Sequence, residues 1–316
     1  MVEPEAVAFG LLQGTLVLLL SPGLLGVLRW VKARAQGRRR GVAGLWMPYL
    51  DLIRLLGQSP VRSQRTHWVF AWAPVVLGAV YGTLAFAIPL LGWPPLLRID
   101  LITFIYLLAL ARFALALGGM DSGAPFAALG SDRSMFLNLP TELALVLIGA
   151  ALFLHHHTLI LWDLMGLQGA LGWLYLLKPD LVLVFLALLI TIGPEAGRIP
   201  IDNPATHLEL TMSQKAVTLE YAGRDLVLIE WAESVKLSVL LVLTASLFIA
   251  PLTGAWPASS LVSLATVLIL IIVLGMSEAR RPKLRLRKVV EPGFLAAGFG
   301  LMAILYQVIV GLLVKP

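Results

Sequence analysis

Residues 195–236 read EAGRIPIDNPATHLELTMSQKAVTLEYAGRDLVLIEWAESVK, a long charge-rich stretch between strongly apolar segments. Six of its acids are candidates for chemistry: Glu195, Asp202, Glu209, Glu220, Glu230 and Glu233. On both sides the chain is apolar in runs of about 20 residues, the length that an α-helix needs to cross a bilayer. The stretch therefore predicts a polar connection between membrane helices, with the rest of the chain forming a bundle around it.

The composition supports a membrane protein. Of the 316 residues, 59% are hydrophobic and only 13% are charged, and the mean hydropathy is +0.89. Soluble domains are about one quarter charged. Because there is no cysteine, this chain has no disulfide, no cysteine-ligated zinc and no cysteine-ligated iron–sulfur cluster. The net charge of +6 is interpreted as basic residues held on one membrane face, not as a nucleic-acid surface.

The apolar runs predict an all-α integral membrane protein of about eight transmembrane helices in one domain, residues 1–316. The predicted spans are roughly 6–30, 68–92, 99–118, 140–161, 179–194, 234–252, 259–277 and 293–313. The loops after spans one, three, five and seven carry nearly all the basic residues. The opposite face has only Arg98, Lys178 and Lys315. By the positive-inside rule these four loops are predicted to lie on the cytoplasmic side of the cytoplasmic membrane. Both termini are then predicted to lie on the opposite side.

Two shorter segments carry further predictions. Residues 46–61, WMPYLDLIRLLGQSPV, place Leu50, Ile53, Arg54 and Gly57 at helical spacing. This pattern is typical of a short amphipathic helix lying in the membrane interface, the alternative being a plain basic loop. The three histidines at 155–157 cannot all face one site on a helix, so they are interpreted as an interfacial polar cluster and not a metal site.

Charged residues inside apolar spans are costly and often mark an ion path. Arg112 lies within span three and Glu142 opens span four, so the two are predicted to pair. The alternative is a static pair that orders the bundle. Asp121, Asp132 and Arg133 are predicted to lie in the link between these two spans.

Within the organising stretch, Asn203 before Pro204 predicts a helix start, because Asn caps helices and Pro suits their first turn. This helix is expected to run to about residue 221, with His207 one turn in and Gly223 ending it.

Glu230 and Glu233 are three residues apart and should share a helix face, with Lys236 three residues further on. Paired carboxylates at a membrane edge are expected to have raised, coupled pKa values, as a proton relay requires. The alternative is an ordinary solvated loop.

The run from Glu195 to Leu210, followed by Leu219-Glu-Tyr-Ala-Gly-Arg, resembles membrane subunit 1 of respiratory complex I. It is still more similar to the formate hydrogenlyase subunit 4 type of membrane-bound group 4 NiFe hydrogenases. Gln36-Gly-Arg-Arg-Arg-Gly, and Gly119-Met-Asp-Ser-Gly-Ala-Pro-Phe before Asp132-Arg-Ser, also match this family. The resemblance covers nearly the whole chain.

The resemblance implies eight helices, with hydrophilic subunits docked on the cytoplasmic face. In complex I this subunit forms most of the quinone cavity and the acidic start of the proton route. The candidate coupling residues are Arg112, Glu142, Glu195, Arg198, Asp202, His207, Glu209, Glu220, Glu230, Glu233 and Lys236. The candidate docking residues are Arg38, Arg39, Arg40, Asp121, Asp132, Arg133, Arg224 and Asp225.

Residues 204–207, Pro-Ala-Thr-His, stand where complex I proteins carry a more acidic stretch, and this favours the hydrogenase branch. The implied partners are the hydrogenase large and small subunits, iron–sulfur subunits, antiporter-like membrane subunits and the lipid bilayer, with NiFe and Fe–S clusters in those partners and no cofactor in this chain. The alternatives are a quinone-binding subunit 1 of a complex I type enzyme and a purely structural anchor. A stand-alone transporter is the weakest option because no inverted repeat is visible.

Overall fold

The computed structural model describes residues 4–38, 41–64, 66–91, 93–166, 178–198, 213–248, 258–281 and 288–314. Within these ranges the chain is helical, and strand-type pairing is limited to an isolated bridge between Asp100 and Ile160. The α-helices are α1 (Pro4–Ala35), α2 (Met47–Leu56), α3 (Trp68–Ala87), α4 (Leu101–Asp121), α5 (Pro125–His156), α6 (Leu161–Gly166), α7 (Pro179–Glu195), α8 (Gln214–Thr218), α9 (Gly223–Phe248), α10 (Ala258–Arg280) and α11 (Glu291–Val314), with a 3-10 helix at Val42–Leu45.

Each of the eight predicted spans overlaps one of the long helices. In the part of the chain described above, six helices are long and apolar enough to cross a membrane: α1, α3, α4, α5, α10 and α11. The other two predicted spans correspond to α7, which has only 17 residues, and to α9, which carries acids in its first half. The helical membrane fold is therefore confirmed, and the count of eight crossings stays a prediction.

Helix α9 is the centre of the bundle. Every side chain from Ser234 to Phe248 is buried. A helix that is apolar on all sides belongs in such a position. It packs against α1, α2, α3, α7 and α10, while α11 packs against α5 and α7 at the edge. The polar first half of α9 is consequently held at one end of the bundle, among its neighbours.

The start of α5 corrects the predicted boundary of span four. The helix begins at Pro125, 15 residues before the predicted start at 140, and Pro140 lies inside it. Glu142 therefore lies within a continuous helix and does not open one. Asp121 ends α4, and only Ser122–Ala124 separate α4 from α5, so Asp132 and Arg133 are helical and not in a link. Pro140 is tolerated inside this long helix.

The polar connection also differs from its prediction. Its described part contains only the five-residue helix α8, which ends at Thr218, three residues before the predicted end near 221. Gly223 begins α9 with φ +56° and does not end a helix. Glycine is required there because a Cβ would lie 2.6 Å from the Gln58 carbonyl oxygen. The predicted helix start at Asn203 lies outside the described residues.

One glycine on α4 and one on α5 allow α8 to pack closely against these two helices. A Cβ on Gly130 would lie 2.7 Å from the Ala216 Cβ, and one on Gly119 would lie 2.9 Å from Val217. These close approaches exclude any larger residue without movement of α8. Because α8 is so short, this packing decides where its polar side chains point.

Candidate coupling site

Arg112 joins two carboxylates from different helices. Its Nη2 donates to Glu142 Oε1 on α5 at 2.8 Å, and its Nη1 donates to Glu195 Oε2 at the end of α7 at 3.0 Å. We call these residues the Arg112 triad. The predicted pairing of Arg112 with Glu142 is confirmed, and Glu195 is a second partner that the sequence placed only in the polar connection.

The triad is buried at one end and open at the other. The Glu195 side chain is 0% exposed and that of Arg112 is 5% exposed, whereas Glu142 is 41% exposed. Glu195 Oε1 and Arg112 Nε are buried without a hydrogen-bond partner in the described chain. A carboxylate oxygen left in this state is costly, so it calls for a functional explanation.

Lys236 of α9 lies over the ring of Tyr81 of α3. The Lys236 Nζ is 5.6 Å from the centre of the Tyr81 ring, and both residues are fully buried. Lys236 interacts electrostatically with Glu195 and Glu233, one from each group. The positive charge of Lys236 thus connects the two sets of acids through the centre of the bundle.

Lys215 of α8 is held between Glu230 and Glu233. Its Nζ donates to Glu230 Oε1 at 2.7 Å and to Glu233 Oε2 at 2.9 Å, and Gln214 Nε2 donates to Glu233 at 3.3 Å. We call Lys215, Glu230 and Glu233 the Lys215 clamp. The two acids share one face of α9 as predicted, but Lys215, not Lys236, bonds to both.

The clamp corrects the expectation that both acids of this pair have raised pKa values. Glu230 precedes the predicted membrane span at 234. Burial raises the pKa of its carboxyl, but the Lys215 ammonium outweighs burial, and the net pKa is below the ordinary 4.5. Burial lowers the pKa of Lys215, and Glu233 and Glu230 together raise it well above 10.5. A lysine between two carboxylates therefore favours the ionised form of Glu230 at rest.

A third group of charges lies beside the clamp. Glu278, buried near the end of α10, accepts from Lys32 Nζ of α1 at 3.2 Å, and its other oxygen is 4.0 Å from Arg198 Nε. Sequence reasoning missed Glu278, although an acid following the long apolar run of span seven was a visible signal. Arg198 is also electrostatically linked to Glu230. The predicted residue Arg198 is thus brought to the acids of both α9 and α10.

Of the four remaining predicted coupling residues, the structure describes only Glu220. Glu220 is half-buried in the turn after α8, and no hydrogen bond joins it to the described members of the triad or clamp. Asp202, His207 and Glu209 lie outside the described residues.

The predicted docking residues divide into exposed and internal sets. Arg38, Asp132 and Arg224 are exposed and Arg133 is half-buried, while Arg39 and Arg40 lie outside the described residues. Asp225 instead accepts two hydrogen bonds from Arg62, at 2.9 and 3.0 Å.

Asp121 accepts from the backbone N–H groups of His67 and Phe70, which begin α3. The carboxylates of Asp121 and Asp225 are therefore hydrogen-bonded to other groups of this chain.

A separate buried polar cluster lies at the opposite end of the bundle. Asp180 at the start of α7 bonds to His155 Nδ1 of α5 and accepts from Gln307 Nε2 of α11 at 2.9 Å. Lys178 Nζ lies 3.2 Å from His155 Nε2. We call these four residues the Asp180 cluster. The predicted polar role of His155 is confirmed, and the sequence did not indicate Asp180 as its partner.

Two cavities open between α1, α2 and their neighbours. A polar cavity of about 310 Å³ is lined by Arg29, Asp51, Arg54, Glu230 and Ser234, with apolar side chains around them. An apolar cavity of about 400 Å³ lies deeper, between α1, α9 and α10, with Trp46 and Tyr49 at α2. The described residues contain no group of three or more side chains suited to hold a metal ion.

The family of the chain follows from a comparison with known sequences. A model of the NADH dehydrogenase family matches residues 8–310. The chain belongs to this family. The resemblance predicted from residues 195–225 is thereby confirmed.

Relatives within the NADH dehydrogenase family are subunits of several complexes. Formate hydrogenlyase subunit 4 of Escherichia coli K12 is 29% identical over 93% of this chain and 96% of its own length. Hydrogenase-4 component C of the same organism is 35% identical over 77% of this chain and 74% of its own. Subunits H of bacterial NADH-quinone oxidoreductases are 30–31% identical over 73–79% of this chain.

The fold is also known among solved membrane complexes. A chain in the structure of the membrane-bound sulfane sulfur reductase, described as an archaeal respiratory membrane complex, superposes with a TM-score of 0.78. The match covers 95% of this chain and 99% of that one at 20% identity. At this identity the likeness establishes the fold alone.

Proposed function

We propose that this NADH dehydrogenase family chain is the membrane-anchoring and ion-coupling subunit of a hydrogenase-type complex. Redox chemistry in docked peripheral subunits, which would hold the NiFe and Fe–S clusters, drives proton or sodium movement through the buried acids of this chain. Full-length similarity to formate hydrogenlyase subunit 4 supports the hydrogenase context.

The Arg112 triad is the observation that carries this proposal. Glu195 has no exposed side-chain surface and one unpartnered oxygen, yet it shares a guanidinium with the exposed Glu142. A charge this deep among apolar helices costs several kcal/mol, and such residues commonly mark ion pathways. The triad, Lys236 and the Lys215 clamp then form a run of ionisable groups from α5 to α9.

The test uses the intact complex in proteoliposomes, with hydrogen production and internal pH measured together. We expect Glu195→Gln and Glu142→Gln to continue redox turnover while proton translocation is lost. Asp163→Asn is the matched control, because Asp163 is an exposed acid on α6. Normal translocation in both triad variants would remove the coupling role and leave the chain a structural anchor.

The orientation proposed from the basic loops places the triad, the clamp and Glu278 toward the cytoplasm. We propose that the exposed Arg38, Asp132 and Arg224, with Arg133, contact hydrophilic subunits on that face, and that antiporter-like subunits pack beside the bundle. A protease-protected tag at either terminus of the chain in sealed right-side-out vesicles would contradict this orientation.

A second function is favoured by the apolar cavity. Its lining of leucine and valine side chains, with Trp46 and Tyr49 at one edge, suits an isoprenoid tail. In this alternative the chain is the quinone-binding subunit of a complex I type oxidoreductase. The purified complex decides between the two: hydrogen chemistry without quinone supports the hydrogenase context, and turnover that requires added quinone supports the alternative.

A further inference from the structure

The polar cavity reaches the Lys215 clamp. Its lining includes Glu230 together with Arg29 from α1 and Asp51 from α2, whose side chains pair at 3.2 Å. The Glu230 side chain is 28% exposed. Glu230 therefore lines an open cavity and is also a member of the Lys215 clamp.

A smaller cavity continues inward from the same wall. Arg29, Glu230 and Ser234 line both spaces, and the smaller one is also lined by Arg198, Lys215 and Glu233. Its volume of about 30 Å³ is sufficient for a water molecule, which needs roughly 10–15 Å³ and two or more polar partners. Water in this position would lie between the two acids that Lys215 holds.

We propose that the polar cavity is a water-filled proton inlet and that Lys215 is its gate. This inference rests on the coupling role proposed above and names the place where protons reach the acids. It differs from the quinone alternative because the cavity walls carry charges of both signs, which a quinone tail does not suit.

The proposed gating depends on the two hydrogen bonds that the Lys215 ammonium donates, one to Glu230 and one to Glu233. When a proton from cavity water reaches Glu230, that carboxyl becomes neutral and Lys215 stays with Glu233. Transfer of the proton to Glu233, through water in the smaller cavity, makes Glu230 the stronger partner, and Lys215 moves to it. Lys215 remains protonated throughout, and the proton is then next to Lys236 and the Arg112 triad.

Among the described residues, other charged groups face this gate from several helices. They are Arg29 on α1, Asp51 and Arg54 on α2, Arg198 after α7, and Glu233 with the more distant Lys236 on α9. Four of these six groups are cations and two are acids, and Lys215 is the cation that donates hydrogen bonds to both Glu230 and Glu233.

Thiol labelling tests the water in the cavity, because the chain has no native cysteine. Leu52 lines the polar cavity, Leu264 lines the apolar one, and both are half-buried. In the intact complex we expect a charged methanethiosulfonate reagent to label Leu52→Cys at least about tenfold faster than Leu264→Cys, because thiolates form in water and not in apolar surroundings. Equal labelling, or none at Leu52→Cys, would overturn the inlet.

The pH profile tests the gate. Lys215→Gln removes the charge that holds both acids, so the pH of half-maximal translocation should rise by at least about one unit, and Lys215→Arg should restore the wild-type profile. A structural role alone would lower the amount of complex without moving the profile.

The outcomes separate this inference from the function it rests on. If Glu195→Gln abolishes translocation while Glu230→Gln and Lys215→Gln leave its rate and pH profile unchanged, the inlet is elsewhere and the coupling role stands. If Glu195→Gln is also without effect, the coupling role fails as well.

Discussion

The two ends of the bundle both bury charge, but they do so in different ways. In the Asp180 cluster, His155 and Gln307 bond to one carboxylate, and Lys178 Nζ lies against the other ring nitrogen of His155, so the contacts are closed locally. At the other end, two basic residues are shared: Arg112 joins two acids, and Lys215 joins two more. When two acids share one cation, the cation can strengthen its bond to one acid as it weakens its bond to the other. A cluster whose hydrogen bonds are all local instead holds its helices together. Burial of charge alone therefore does not identify a pathway.

The largest expected difference between the two ends is in the free energy of unfolding, when the shared cation Arg112 at one end or Asp180 at the other is replaced. Arg112→Gln leaves Glu195 buried without a counter-charge, which should lower the free energy of unfolding by about 3–5 kcal/mol. Asp180→Asn keeps hydrogen-bonding atoms in place and should cost only about 1.5–3 kcal/mol. Denaturant unfolding of the purified subunit in detergent measures both.

The double variant Arg112→Gln/Glu195→Gln sharpens this comparison. It removes both charges, so it should recover part of the stability lost in Arg112→Gln alone. A double variant as unstable as the sum of the two single ones would show that Arg112 and Glu195 are not energetically coupled.

The difference between the ends was only partly predictable from the sequence. Charges inside apolar runs indicated Arg112 and Glu142, and helical spacing indicated that Glu230 and Glu233 share a face. The partners that distinguish the ends come from distant positions: Lys32 and Glu278 are 246 residues apart in sequence. No helical period relates Lys215 to Glu230, since a turn separates α8 from α9. Such pairings are set by the packing of helices, which local patterns do not encode.

A second prediction breaks the clamp through backbone packing. Gly130→Ala places a methyl group 2.7 Å from Ala216, so α8 must move and carry Lys215 away from its acids. We expect translocation to fall several-fold while redox turnover continues. Gly82→Ala is the matched control, because a Cβ there meets no other atom. Equal translocation in the two variants would mean that the position of α8 does not matter.

The pH dependence of stability gives a third, intermediate effect. The pKa of Glu230 is lowered in the folded chain, so its contribution to stability is present above about pH 4.5 and is lost as the pH falls through the folded pKa. In Lys215→Gln, burial without a counter-charge should raise this pKa, and stability should then fall as the pH rises from about 4.5. Between about pH 4.5 and 8 the melting temperature of Lys215→Gln should therefore fall as the pH rises, whereas Glu230 gives the wild-type protein no such fall. Parallel slopes would contradict the clamp.

The smallest effect is expected for the partly exposed ion pair between Arg62 and Asp225, in which one cation contacts one acid. Arg62 ties the segment before α3 to Asp225 at the start of α9, and the bond to Asp225 raises the pKa of the guanidinium. Arg62 is 42% exposed, so solvent screens the pair, and Arg62→Lys should cost less than about 1 kcal/mol while losing the two-point geometry. Translocation should be unchanged, because this cation contacts one acid and is shared with no other. An uncoupled Arg62→Lys enzyme with wild-type stability would show that sharing a cation is not what separates a conducting group from a structural one.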